Sequence, residues 1–96
     1  DANNLVILPG VIDTQVHFRE PGPTDVEDLE SGSKAAVLGG VTSVFEMPNT
    51  NPPTSNHTEF NKKLSLAKNR MFCNYAFYFG STPQNIDDLK KLNDLE

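Results

Sequence analysis

A single cysteine, Cys73, stands among the 96 residues, so no disulfide can close within the chain. It lies in the apolar run MFCNYAFYF and reads as a small buried side chain; a reducing, cytoplasmic setting fits this scarcity. Positive charge is scarce as well. Eight Lys and Arg against thirteen Asp and Glu give a formal net charge of −5, which argues against a non-specific nucleic-acid binder. No apolar run approaches the ~20 residues that a membrane-spanning helix needs, and no signal-peptide pattern opens the chain. No Gly-x-Gly-x-x-Gly or Gly-x4-Gly-Lys-Ser/Thr stretch follows a strand-like segment, so no loop cradling nucleotide phosphates is expected. An initiator methionine is also missing: the chain opens on Asp1, and the expectation is that an N-terminal part precedes it.

What is present is an alternation. LVILPGVIDTQVHF is extended and is broken by Pro9-Gly10. A helix is expected after it, capped by Thr24 with Glu27 three residues on, and carrying a stripe of Val26, Leu29, Ser33, Ala36, Val37 and Gly40. Gly39-Gly40 would end it, and Glu27, Asp28 and Glu30 read as its solvated face. VTSVFEM is a compact β-branched strand, and NTNPPTSN is loop by composition. Phe60, Leu64, Ala67 and Met71 recur at helical spacing over residues 56–69, with Lys62, Lys63, Lys68 and Arg70 toward the favourable end of the dipole. MFCNYAFYFG gives a third strand. Thr82-Pro83 then offers a cap and first turn for a helix bearing Ile86, Leu89, Leu92 and Leu95.

Three βα units in succession imply parallel strands joined by right-handed crossovers, in a doubly wound sheet or a (β/α)8 barrel. Either fold gathers ligands at the carboxyl ends of its strands, which here read HFREPG, EMPNT and FYFGST. Alternation along PGVIDTQVHF would put Asp13, Gln15 and His17 on one face, an unusual set to bury. Taken singly, His17 reads as a hydrogen-bonded core histidine and Asn49 as a turn residue, while Arg19 reads equally as a surface ion-pair partner of Glu20 or Glu27 and as a carboxylate-binding guanidinium. His57 reads as a surface or capping residue.

PGVIDTQVHFREPG followed by GSKAAVLGGVTSVFEMPNTNPPT resembles the first two barrel strands of the cyclic amidohydrolases, with the dihydroorotase branch favoured by Arg19 and Asn49. The likeness is close over residues 5–54 and looser beyond. It implies a partial (β/α)8 barrel comprising the first three βα units, with residues 1–96 as its N-terminal part and a β-sandwich and the later strands outside the chain. It further implies zinc-dependent, reversible hydrolysis of dihydroorotate to N-carbamoyl-L-aspartate. His17 would be a metal ligand, Asp13 a residue orienting a ligand, and Arg19 and Asn49 the holders of the substrate carboxylate. Gln15 stands where the family pattern has its first histidine, and a neutral amide is a poor zinc ligand. No catalytic acid or base is assigned within the chain.

The implied partners are the substrate, the rest of the barrel, and either a second copy or aspartate transcarbamoylase. Alternatives are a catalytically degenerate scaffold for aspartate transcarbamoylase, an allantoinase or dihydropyrimidinase, and a free-standing binding module. In an isolated chain, the interior faces at Val16 or His17, Val44 or Phe45, and Tyr75 to Phe79 would stay partly uncovered.

Overall fold

Val11, Ile12 and Val16 are β-branched, and they extend as strand β1 (Val11–Val16) in the computed structural model, which describes residues 2–92. The alternation continues through α1 (Leu29–Leu38), β2 (Val41–Glu46), α2 (His57–Ala67), β3 (Asn74–Phe77) and α3 (Ile86–Lys90). The strands pair in parallel in the order β1-β2-β3. Among the described residues this order does not reverse. Crossovers of one hand therefore place α1 and α2 on the same face, as in a barrel wall.

The pairing of β1 with β2 is not uniform. Asp13 is registered with Val44 and Val16 with Glu46, so β1 carries one extra residue over this stretch. The Asp13 carboxylate accepts the Gln15 backbone N–H at 3.0 Å inside this bulge. The bulge breaks the simple alternation expected for Asp13, Gln15 and His17. Beyond it, Val16 and Phe18 turn toward the helices and His17 toward the opposite face.

The core forms where the helices meet the sheet: Phe18, Leu29, Val44 and Ala67 are buried, flanked by Leu66, Met71, Cys73 and Phe77. Burial pushes the Cys73 thiol pKa up, in keeping with a packing role. Gly32 makes the Phe18 contact feasible. A Cβ there would lie 2.4 Å from the Phe18 ring, so Gly32→Ala should cost about 1–3 kcal/mol of stability by overpacking, read from the urea midpoint.

Three helix expectations need correction. α1 starts at Leu29 and not near Asp25, because Asp28 is its cap: its carboxylate accepts the Ser31 N–H at 2.7 Å, and its own N–H donates to Ser31 Oγ at 3.1 Å. Glu20 Oε2 accepts the Leu29 N–H at 3.0 Å, a long-range cap that local sequence does not disclose. Thr24 to Val26 form a turn outside the helix, and Val26 and Val37 are exposed, so the buried stripe is Leu29, Gly32 and Ser33. On α2, Asn56 is the cap, accepting the Glu59 N–H at 2.9 Å, and Lys63 and Ala67 are buried while Leu64 is exposed. α3 starts at Ile86 because Asn85 is tied into the preceding turn, accepting from the Thr82 N–H and donating to the Ser55 and Gly80 carbonyls. Leu95 lies outside the described residues.

Apolar surface remains open. Leu5, Val6, Ile7 and Leu8 are each more than 70% exposed, and Val11 and Ile12 more than half. On β2, Val44 and Glu46 turn toward the helices; Phe45 faces the other way and meets Tyr78 edge to face at 6.1 Å. Surface of this kind drives association. Sedimentation velocity on the 96-residue polypeptide should therefore show oligomers or aggregates, and a stable monomer would contradict this reading.

Candidate functional site

The carboxyl ends of β1 and β2 open into a cleft of about 230 Å³ lined by His17, Arg19, Pro21, Asn49, Thr50 and Asn51. Two loops form it, and they are stitched together. The Asn51 N–H donates to the Pro21 carbonyl at 2.9 Å, and the Thr54 N–H donates to the Pro48 carbonyl at 2.9 Å. Gly22 turns the first loop at φ +144°, where a side chain would be strained and its Cβ would lie 3.0 Å from the Arg19 carbonyl.

His17, Arg19 and Asn49 thus share one cleft. His17 Nδ1 lies 3.0 Å from Asn49 Oδ1. A carbonyl oxygen only accepts, so Nδ1–H is the donor in this contact and Nε2 is the ring nitrogen not used in it. Arg19 is exposed and, among the described residues, forms no hydrogen bond or ion pair. Neither expected partner takes it. Glu20 is held by Arg70, with Nη1 to Oε1 at 2.8 Å and Nη2 to Oε2 at 3.0 Å. Arg70 also lies 3.5 Å from Asp28 and 3.8 Å from Glu30, so the acidic patch read as a solvated face is partly a cation's surround. The Glu20 contact, above all, raises the guanidinium pKa further.

Gln15 is exposed and Asp13 is half-buried, bonded to the Gln15 backbone. Among the described residues no three His, Cys, Asp or Glu side chains come together in a set that could hold a metal ion. The cleft therefore offers one imidazole donor, His17, and Gln15, at the other expected ligand position, is an amide ill suited to zinc. His57 opens α2, capped by its neighbour Asn56, and its ring packs on Phe79 at 5.8 Å.

A buried ion pair was not foreseen. Lys63 and Glu46 are 0% and 1% exposed and pair with each other beneath the sheet. Lys63 also donates to Thr54 Oγ1 at 3.2 Å and the Met47 carbonyl at 3.4 Å, and its ammonium sits 5.1 Å from the Phe77 ring centroid. Burial pushes the Glu46 pKa up to about 7, against the opposing pull of Lys63, and burial lowers that of Lys63. The one sequence signal was a carboxylate two residues after Val44, on the same face of an apolar strand. A larger, shallower hollow of about 650 Å³ runs along α2 by Asn61, Lys62 and Leu66, away from the strand ends.

The amidohydrolase family model matches residues 6–95. The chain is 51% identical over 73 residues to a dihydroorotase of Aquifex aeolicus, covering 76% of the chain and 17% of that protein. It is 48% identical over 84 residues to an allantoinase of Saccharomyces cerevisiae, covering 86% of the chain and 18% of that protein. The solved structure of L-hydantoinase (dihydropyrimidinase) from Arthrobacter aurescens superposes with a TM-score of 0.79 at 34% identity, over 90% of the chain and 19% of that protein. The chain thus spans less than a fifth of each relative, and its elements are the first βα units of a (β/α)8 barrel.

Proposed function

The chain belongs to the amidohydrolase family, and from that premise we propose that it is the opening barrel segment of a dihydroorotase, which interconverts dihydroorotate and N-carbamoyl-L-aspartate in the cytoplasm. The observation that carries this reading is Arg19: a guanidinium without an ion pair among the described residues, in one cleft with Asn49 and His17, while its acidic neighbour is engaged elsewhere. A planar guanidinium binds a carboxylate through two parallel hydrogen bonds, and the dihydroorotate ring carries one such group. Allantoin and dihydrouracil do not. The similarity to an allantoinase and a hydantoinase leaves hydrolysis of cyclic amides as common ground, and the carboxylate is what Arg19 would add.

In this reading Arg19 fixes the substrate carboxylate, and the Asn49 amide N–H donates to it while its oxygen holds the His17 ring. His17 then has Nε2 as the ring nitrogen not taken up by Asn49. A bound zinc would supply an activated water and a polarised ring carbonyl, and His17 is the residue of this chain that would help hold it. Gln15 would leave a ligand position weakly filled. Metal analysis of the complete polypeptide, purified without chelator, should then find about one zinc ion per chain and not a binuclear pair. Two tightly held zinc ions would contradict this.

Gln15 also supports a second reading, a degenerate member that serves as a scaffold for aspartate transcarbamoylase. Turnover separates the two. The dihydroorotase reading expects ring opening of dihydroorotate by the complete polypeptide in preference to allantoin and dihydrouracil; no zinc and no turnover of any of the three would favour the scaffold.

A further inference from the structure

Glu20 is adjacent to Arg19 in sequence yet points the other way. Glu20 is 8% exposed, and its carboxylate is engaged three times: by both terminal nitrogens of Arg70 and by the Leu29 backbone N–H. Arg70 stands three residues beyond the last residue of α2 and donates as well to the Leu66 carbonyl at 3.2 Å, which anchors it to that helix. The neighbouring Asp28 and Glu30 leave the cation no shortage of negative charge, but only Glu20 receives both arms of the fork. Arg19 has no such partner and depends for its direction on the backbone of this loop.

We propose that Arg70, acting through Glu20, is a positioning residue that keeps Arg19 available to a substrate carboxylate; this rests on the carboxylate reading of Arg19. Two effects combine. With Glu20 drawn behind the loop, its neighbour is turned into the cleft. The same contact keeps the Glu20 carboxylate from pairing with Arg19, where it would compete with the substrate as an internal carboxylate at high effective concentration. Releasing Glu20 would therefore weaken recognition of a carboxylate-bearing ring without touching the groups that act on the amide.

The test is the steady-state kinetics of the complete polypeptide with dihydroorotate. Arg70→Gln should raise KM about tenfold and change kcat less, because it removes binding and not chemistry. Adding Glu20→Gln to Arg70→Gln should recover much of that loss, since no free carboxylate then competes for Arg19. In an Arg19→Ala background, Arg70→Gln should cost nothing further. A role confined to stability would give neither the recovery nor the lost additivity. If Arg70→Gln fails to fold, Arg70→Lys, which keeps the charge but not the fork, should show a smaller KM rise with the same dependence on Arg19 and Glu20. A KM rise that persists in the Arg19→Ala background, or that Glu20→Gln does not reduce, overturns the positioning role alone. An unchanged KM in Arg19→Ala itself would bring down the carboxylate reading and this proposal with it.

Discussion

On the proposed dihydroorotase reading, replacing Arg19 with alanine in the complete polypeptide should lower kcat/KM for dihydroorotate by about 2–4 kcal/mol, which is between tens- and several hundred-fold. The size follows from what is lost: a two-pronged, charge-assisted contact to a carboxylate that nothing else in the cleft can replace. Lys62, Lys63 and Arg70 are each committed to an acid elsewhere. The loss should fall mainly on KM. Arg19→Lys should recover only part of it, because an ammonium keeps the charge but not the fork. Asn49→Ala should cost less in carboxylate binding, as a neutral donor, but it also frees the His17 ring from its 3.0 Å partner and should lower kcat as well. Unchanged kinetics in both variants would remove the carboxylate assignment.

The second large effect is on stability. Lys63→Met should destabilise the folded protein by roughly 3–5 kcal/mol near pH 8, because it strands the Glu46 carboxylate in a site 1% exposed to water. The penalty should depend on pH. Burial already raises the folded-state pKa of Glu46 from its ordinary 4.5 to about 7, so folding favours the protonated form more than the unfolded chain does. Stability from this group is present below the unfolded value and is lost as pH rises through the folded one. Lys63 is what restrains that rise, and without it the folded value climbs further and the loss deepens above neutrality. Denaturant unfolding of Lys63→Met should thus show a deficit already at pH 5 that deepens by about 1 kcal/mol by pH 8. The double variant Glu46→Leu/Lys63→Met should regain most of the loss, since a well-packed apolar pair needs no desolvated charges. A deficit that does not vary with pH would show that Glu46 is not the group left stranded.

This ion pair marks where reading the sequence runs out. Strand positions were legible because β-branched runs stand between Pro and Gly breaks, and three such runs alternating with helical spacing pointed to parallel βα units. The helix starts were not legible in the same way. α1 begins where Glu20, nine residues away, accepts the Leu29 N–H, and a local capping pattern at Thr24 loses to that contact. Lys63 and Arg70 looked like cations gathered by a helix dipole, because charged residues are usually solvated. Only the fold reveals that one is buried beneath the sheet and the other holds the loop of Arg19. The grouping of His17, Arg19 and Asn49 was implied by the likeness to a family and not by spacing, since 32 residues separate His17 from Asn49. The β1 bulge, a feature of pairing between strands, had no signature in the alternation of Asp13, Gln15 and His17.

The central claim is that Arg19 makes this a site for a carboxylate-bearing cyclic amide. Its most direct test is the ratio of kcat/KM for dihydroorotate to that for dihydrouracil, a ring lacking the carboxylate, in the complete polypeptide and in Arg19→Ala. The prediction is a strong preference for dihydroorotate that collapses toward parity in the variant, through loss of the dihydroorotate rate and not a gain in the other. A ratio that Arg19→Ala leaves intact, or a parent enzyme that turns over allantoin in preference to dihydroorotate, would contradict it.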